Sequence, residues 1–120
     1  MKKIFVSWKE FDEMAKELIK KIKSSNEKFD GVYGIPRGGL VLAVHISHNL
    51  DLPLLLYPTK NTLVVDDISD NGKTLSSMKN RKIATLFSTP WTKTKPDWNI
   101  KSKENEDHWI VFPWENQESE

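Results

Sequence analysis

An apolar strand that ends in two carboxylates is the feature that most constrains how this chain can fold. The apolar residues 63–65 are followed directly by Asp66 and Asp67, and a short polar loop with a glycine comes next. This order is typical of a buried strand that reaches the edge of a sheet and then turns into a helix. Open α/β sheets bind their ligands beyond the carboxyl ends of the strands. The sequence therefore predicts a ligand site over residues 66–74.

The residues of this segment suit a phosphorylated sugar. Backbone N–H groups in a turn and in the first turn of a helix bind phosphate. Gly72 lets the backbone approach a ligand closely, and Thr74 can donate a hydroxyl. Asp66 and Asp67 suit ribose hydroxyls or a hydrated Mg²⁺. A sugar phosphate would satisfy both halves of the segment at once.

Spacing excludes two better-known motifs at the same place. A P-loop ending in Gly72-Lys73-Thr74 needs a glycine five places earlier, where Asp67 stands. A calcium loop that starts at Asp67 needs a glutamate at its twelfth position, where Met78 stands. An ordinary charged turn remains the alternative, because Asp, Asn and Gly are common turn formers.

Helical and extended patterns alternate along the rest of the chain and predict a parallel sheet with helices on its faces. Ser7 and Glu10 form a capping box, and apolar residues at helical spacing then predict a helix over residues 8–24. A second helix is predicted over 38–49, and a short one begins at 74–78. Strands are predicted at 31–35, 52–57, 63–65 and 83–87.

Composition limits the class of protein. The 120 residues predict one domain over 1–115, followed by an acidic, disordered tail at 116–120. A net charge of +1 gives no strong field for nucleic acid or a membrane surface. There is no cysteine, hence no disulfide or thiolate chemistry, and no apolar run long enough to span a membrane. We expect a cytoplasmic protein.

Three segments resemble the type I phosphoribosyltransferases. Residues 64–75, with two acids and then Asp-x-Gly-x-Thr, resemble the family's motif for 5-phosphoribosyl 1-diphosphate (PRPP). Residues 32–40, which include Pro36-Arg37-Gly38-Gly39, resemble its pyrophosphate loop, where unusual backbone is expected at Pro36-Arg37. Residues 109–115 resemble the C-terminal segment of the xanthine-guanine branch. The resemblance implies an α/β fold with a mainly parallel, twisted sheet, flanking helices and a reduced hood.

The implied activity is transfer of a phosphoribosyl group from PRPP to a purine base, which yields a nucleoside monophosphate and pyrophosphate. Asp66 and Asp67 would hold the ribose and a Mg²⁺ ion, and Asp70 would act as general base at the purine. Arg37 would clamp the diphosphate in a fork of hydrogen bonds. The implied PRPP-binding residues are Arg37, Gly38, Gly39, Asp66, Asp67, Ser69, Asp70, Asn71, Gly72, Lys73 and Thr74.

The resemblance also implies a base site at Trp109 and Ile110. An indole face is a good stacking platform for a purine, although plain core packing is the alternative for Trp109. The xanthine-guanine branch uses a lysine to read the exocyclic oxygen of the purine at the position where Thr89 stands here. Either Lys93 or Lys95 takes over that contact, or the base preference differs.

One family feature is missing from the sequence. Type I enzymes usually carry a long mobile loop between the strands predicted at 52–57 and 63–65, and only residues 58–62 connect them here. Without a lid, a reacting sugar is exposed to water. The chain is therefore a minimal transferase, an enzyme completed by a partner, a non-catalytic PRPP or nucleotide sensor, or a structural subunit. Retention of Asp70 and Arg37 favours catalysis, and so short a chain is expected to form a homodimer.

Overall fold

The computed structural model describes residues 1–115, which contain six strands, two α-helices and one 3-10 turn. The tail predicted at 116–120 lies outside the described residues. In chain order the elements are β1 (Lys2–Phe5), α1 (Trp8–Ser24), β2 (Gly31–Gly34), α2 (Leu40–Leu50), β3 (Thr62–Ser69), the 3-10 turn (Ser76–Met78), β4 (Lys82–Ser88), β5 (Lys101–Ser102) and β6 (His108–Val111).

The main sheet has four parallel strands in the order β2-β3-β4-β5, as the alternating pattern predicted. β3 lies between β2 and β4, and an apolar cluster covers each of its faces, so Leu63, Val64 and Val65 are completely buried. This position explains why the strand reads as a continuous apolar run. Asp66 pairs in register with Thr85 of β4 near the carboxyl edge of the sheet.

Both α-helices contribute to the core on one face of the sheet. The predicted capping box of α1 is confirmed: Ser7 Oγ accepts a hydrogen bond from Glu10 N, and Ser7 N donates to Glu10 Oε1, each at 3.1 Å. α1 buries Phe11, Leu18 and Ile22 among other apolar residues, and α2 buries Leu42, Ala43 and Ile46. Helix α2 begins at Leu40, three residues after Arg37, so the helix fixes the position of the loop that contains Arg37.

The opposite face of the sheet carries a smaller apolar cluster of Ile35, Val64, Leu75 and Ile83. The helix predicted to begin at 74–78 is only the 3-10 turn Ser76–Met78, so this part of the prediction was wrong. The reason is geometric: Arg81 N already donates to Met78 O, and the chain enters β4 at Lys82.

Two predicted strands also differ in length. Residues 52–57 do not form a strand, since only Leu54 makes an isolated bridge, to Val32 of β2. Leu56 and Tyr57 are 88% and 74% exposed, so this apolar run does not mark a core element. β3, by contrast, continues past the predicted end at residue 65 as far as Ser69, so the two carboxylates lie within the strand and not in the turn.

The two ends of the described chain form a second, two-stranded sheet, which is the reduced hood of this fold. β1 and β6 pair in parallel from Lys2 with His108 to Phe5 with Val111. Trp114, just after β6, stacks on Phe112 with ring centroids 5.1 Å apart and meets Phe11 of α1 edge to face. These aromatic contacts attach the hood to the core and carry the C-terminal segment over the sheet edge.

None of the helices within residues 1–115 combines the length and the apolarity needed to cross a membrane.

Candidate functional site

Three adjoining cavities lie at the carboxyl edge of the main sheet. The largest, of about 730 Å³, extends from Arg37 and Gly38 to the two carboxylates. The loop cavity, of about 190 Å³, is lined by residues of the segment 66–75 and shares Asp66 and Thr74 with the first. The hood cavity, also of about 190 Å³, shares Asp67 and Trp109 with the first and reaches under the hood. The predicted site is therefore a group of three neighbouring cavities that share lining residues.

The acid pair Asp66 and Asp67 lies where these spaces meet. Asp66 is 8% exposed, and Asp67 N donates to Asp66 Oδ1 at 2.9 Å. Burial, together with the neighbouring charge of Asp67, raises the pKa of Asp66 to about 8. Burial raises the pKa of Asp67 as well. Two desolvated carboxylates side by side make a site where a cation or a set of hydroxyl donors is strongly favoured.

The donor chemistry of this pair fits Mg²⁺ that arrives with a ligand. Mg²⁺ prefers oxygen ligands and is commonly bound by one or two carboxylates together with substrate phosphates and water. Within residues 1–115, no group of three or more His, Cys, Asp or Glu side chains surrounds a common point. Asp66 and Asp67 would therefore supply only part of the coordination shell of such an ion, and a phosphorylated ligand would have to supply more.

The Arg37 loop lies directly against the acid pair. Its Pro36-Arg37 peptide bond is cis, which confirms the expected unusual backbone. A Cβ on Gly38 would meet the carboxylate of Asp67, so only glycine allows the loop to pass this close. Arg37 is exposed and lines the largest cavity, within reach of an anion there. Gly39 is buried against the Val65 carbonyl and lines none of the three cavities, so it packs the loop onto β3.

A threonine-rich segment, residues 89–94, fixes the loop over 69–74. Thr94 Oγ1 donates to Gly72 O at 2.8 Å, and Thr89 Oγ1 donates to Asp70 O. Gly72 has a φ of 83°, and a Cβ there would meet Thr94 N and Thr92 Oγ1. Hydrogen bonds from the threonine-rich segment thus hold the loop in one conformation, as a preformed phosphate site requires.

The predicted phosphate-binding residues do not all offer their side chains to a ligand. Ser69 is buried, and its hydroxyl donates to Thr94 O at 2.7 Å, which leaves it occupied within the protein. Lys73 is exposed and does not line the loop cavity, although its N–H donates to Asn71 Oδ1. Asn71, Gly72 and Thr74 do line it.

Asp70, the predicted general base, carries two partners that the sequence did not reveal. Lys103 Nζ donates to Asp70 Oδ2 at 2.8 Å, and Trp91 Nε1 donates to Asp70 Oδ1 at 3.1 Å. Lys103 is 7% exposed and lines the hood cavity. Lys93 and Lys95, the lysines considered from the sequence, are exposed and line none of the three cavities, which favours the alternative that the base preference differs.

Trp109 and Ile110, the predicted base-binding residues, both line the hood cavity together with Phe112. Trp109 also lines the largest cavity. The described residues give its buried indole Nε1 no hydrogen-bond partner. Trp109 is therefore both a flat apolar wall and a donor with bonding capacity left for a ligand.

The short connection before β3 is held tightly to the body of the protein. Thr59 N donates to Thr62 Oγ1 at 2.7 Å, and Arg81 Nε donates to Thr59 O at 2.7 Å. Asn61 Nδ2 donates to Lys28 O at 3.0 Å. The prediction of a tight turn at residues 58–62 is confirmed, and this segment does not extend over the site.

A parallel α/β sheet with an acid pair, a glycine-containing phosphate loop and an arginine loop at its carboxyl edge defines the type I phosphoribosyltransferase class. No family model matches the chain. Among solved structures, a purine phosphoribosyltransferase from Pyrococcus horikoshii Ot3 is 33% identical, with a TM-score of 0.83 over 97% of this chain and 95% of that one. The chain belongs to the purine phosphoribosyltransferase family, as its resemblance predicted.

Other comparisons agree with this family. A xanthine-guanine phosphoribosyltransferase of Idiomarina loihiensis is 27% identical over 143 residues, covering 95% of this chain and 88% of the relative. The alignment is longer than the 120-residue chain, so that relative has segments that this chain lacks. A xanthine-guanine-hypoxanthine phosphoribosyltransferase of Helicobacter pylori, 23% identical, has the same fold with a TM-score of 0.79 over 93% of each chain.

Proposed function

We propose that this protein transfers the phosphoribosyl group of PRPP to a purine base, as a purine-salvage enzyme. The observation that carries the proposal is that three cavities adjoin one acid pair. PRPP and a purine together present three groups to be bound: a 5-phosphate, a diphosphate and a flat ring. In the reaction the bond from ribose C1 to the diphosphate oxygen breaks and a bond from C1 to a purine nitrogen forms. Pyrophosphate leaves, and the base loses one proton.

Each cavity has a role in this proposal. The backbone of residues 70–74 binds the 5-phosphate, as helix termini and glycine loops do. Arg37 binds the diphosphate in the largest cavity. Asp66 and Asp67 accept hydrogen bonds from the ribose hydroxyls and balance the positive charge that develops at C1. The purine ring lies in the hood cavity against Trp109 and Ile110, and Asp70 accepts its proton.

Mg²⁺ belongs to the same proposal as a cofactor that enters with PRPP. When bound, it neutralises the diphosphate and helps it leave. Asp66 and Asp67 are the residues that would hold the ion, because both carboxylates line the largest cavity, where the diphosphate is proposed to bind.

The first experiment is a pyrophosphate-release assay with PRPP, Mg²⁺ and a panel of purines, combined with calorimetry of PRPP binding. We expect release with at least one purine. We expect the double variant Asp66→Asn with Asp67→Asn to lose most PRPP affinity, because the ribose and metal contacts are removed together. A variant with near-native affinity would contradict these roles. Asp12→Asn, at an exposed carboxylate on α1, is the control and should bind as the wild type does.

The tight connection at residues 58–62 favours a second candidate, a PRPP or nucleotide sensor without turnover, because closure over the reacting sugar normally excludes water. The same assay separates the two. Binding of PRPP without consumption of any purine supports the sensor and defeats the transferase.

We also propose a homodimer and a cytoplasmic location. Apolar side chains remain exposed on α2 and on the segment after it, where a second copy would bury them. A cytoplasmic location fits a highly charged phosphorylated substrate, which does not cross a bilayer unaided.

A further inference from the structure

A separate cavity, of about 290 Å³, lies at the amino-terminal edge of the main sheet, at the opposite end of the strands from the acid pair. This amino-edge cavity is lined by Thr62 and Lys82, the first residues of β3 and β4, and by residues just before them. Asp66 is four residues beyond Thr62, so roughly 13 Å of strand separates the two sites. None of residues 1–115 lines both this cavity and one at the carboxyl edge.

Positive charge is concentrated around the amino-edge cavity. Its lining contains four cationic and two acidic side chains, which are Lys60, Lys79, Arg81 and Lys82 against Glu27 and Asp97. Four positive and two negative groups give the lining a formal charge of +2, whereas the whole chain carries only +1. Cations held close together repel one another, so this arrangement is unfavourable until an anion joins it.

Both acids of the lining are paired with the same cation. Lys82 Nζ lies 3.7 Å from Glu27 Oε1 and 3.8 Å from Asp97 Oδ1. The other oxygen of Asp97 accepts a hydrogen bond from the backbone of β4 at 2.8 Å. The contacts of the described residues give Lys60 and Lys79 no ion pair and no side-chain hydrogen bond. Their charges are therefore available to a ligand.

Arg81 presents its charge in a fixed orientation. Its Nε donates to Thr59 O at 2.7 Å, and its Nη1 donates to Met78 Sδ at 3.8 Å. Within residues 1–115, its Nη2 has no hydrogen-bond partner and the side chain has no acidic partner. The guanidinium group is thus held by one edge, and unused N–H donors remain on the other. Such a group is prepared to bind an oxyanion without first being ordered.

We propose that the amino-edge cavity binds a diphosphate group, either as free pyrophosphate or as part of a nucleotide. The Arg81 guanidinium donates to its oxygens in a fixed geometry, and Lys60 and Lys79 add two point charges. The volume of about 290 Å³ is small for a drug-sized ligand and suits a compact anion. This site goes beyond the proposed transfer reaction, because it lies at the other end of β3 from the reacting groups.

The test follows the backbone amide signals of the isotope-labelled protein by NMR during titration with pyrophosphate in the absence of Mg²⁺. We expect the signals of residues 59–62 and 79–82 to shift together, with an affinity separate from that of any shifts at 70–74. Titration with adenosine diphosphate distinguishes the two sources of the group. Tighter binding with shifts at Phe29, the aromatic residue of the lining, would identify a nucleotide, and equal binding would identify the free anion.

A double variant, Lys60→Gln with Lys79→Gln, removes two exposed cations that have no partner, so it should fold as the wild type does. We expect its affinity at the amino-edge cavity to fall about 10-fold or more, because two charged contacts are lost. Lys9→Gln with Lys20→Gln is the matched control. It makes the same change in net charge at exposed lysines of α1 and should keep the wild-type affinity.

Two results would overturn the inference. One is the absence of shifts at residues 59–62 and 79–82 with both probes, and the other is an unchanged affinity there in the double variant. The wild-type titration needs no variant and decides alone if the double variant does not fold. Neither result depends on turnover, so a failure to release pyrophosphate from PRPP would defeat the proposed transferase without affecting this test.

Discussion

At the scale of single residues, burial changes the charge state of the acid pair. Burial and the adjacent Asp67 raise the pKa of Asp66 from its ordinary value of 3.8 to about 8. The folded protein therefore binds more protons than the unfolded chain between about pH 4 and pH 8. In that window this group contributes less to the stability of the folded state as pH rises. The site is thus destabilised most where its carboxylates are ionised and ready for a cation.

This gives a prediction for Asp66→Asn, which removes the charge and keeps the size of the side chain. Without ligand, we expect the variant to be more stable than the wild type at pH 8.5 by on the order of 1–3 kcal/mol, and the difference to shrink toward pH 5. Denaturant unfolding at the two pH values measures this. Asp12→Asn should show no such pH-dependent gain, and a wild type that is the more stable protein at pH 8.5 would refute the assignment.

At the scale of elements, the threonine-rich segment after β4 acts as a support for the phosphate loop. The loop over 69–74 follows a long central strand, and its shape comes from contacts that cross from a different part of the chain. Thr94 is 5% exposed, and its hydroxyl is committed to the Gly72 carbonyl. The proposed phosphate site therefore depends on two segments that are about twenty residues apart in sequence.

We expect Thr94→Val to weaken this support, because the substitution keeps the shape but leaves the Gly72 carbonyl without its donor. Stability should fall by about 1–2 kcal/mol and PRPP affinity by roughly 5- to 10-fold. Thr62→Val is the control, a buried threonine at the opposite edge of the sheet. It should cost stability without a change in PRPP affinity. If Thr94→Val and Thr62→Val lost PRPP affinity equally, the loss would not come from the hydrogen bond between Thr94 and Gly72, and the prediction would be wrong.

Among the elements, those whose contacts are local could be predicted from the sequence. The capping box at Ser7 and the apolar part of β3 were predicted, because their signals are local: hydrogen bonds three residues apart and a run of apolar side chains. The end of the strand was not, since β3 continues through Asp66 and Asp67 to Ser69. The arginine loop and the phosphate loop were predicted from their resemblance to family motifs, although the shape of the phosphate loop depends on contacts with the threonine-rich segment. Local pattern predicts well where local contacts determine structure.

What the sequence could not predict depends on contacts between distant segments. Lys103 belongs to a charged run and reaches the site through β5, a strand of two residues that has no periodicity to detect. β1 and β6 stabilise each other from the two ends of the described chain. Residues 52–57 were predicted as a strand from their apolar run, yet Pro53 has no N–H to donate, and Leu56 is mostly exposed.

At the scale of the whole molecule, several large apolar side chains of α2 and of the segment after it are exposed. Leu40 and Val44, one turn apart on α2, are each 40% exposed, and Leu54, which bridges to β2, is 47% exposed. Leu56 and Tyr57, in the same segment as Leu54, are exposed as well. Leaving so many large side chains in water is unfavourable for a monomer of this size.

We expect the protein to sediment as a dimer and Leu56→Glu to shift it toward the monomer, because a buried, unpaired carboxylate opposes association. Analytical ultracentrifugation over a range of concentrations measures this. The control is Lys60→Glu, at an exposed residue near the same segment, which should leave the association unchanged. A wild type that is monomeric at high concentration would contradict the proposed interface.

The tight turn before β3 has a consequence for the yield of the reaction. An uncovered ribosyl centre can be captured by solvent as well as by a purine, so part of the PRPP should end as ribose 5-phosphate. Chromatography of the products should show this by-product, and its share should decrease as the purine concentration increases. Strict equality between nucleotide formed and PRPP consumed would mean that water is kept away by other parts of the assembly. If the by-product does appear, an enzyme of this architecture loses some donor molecules to hydrolysis because its short connection leaves the reacting centre open to water.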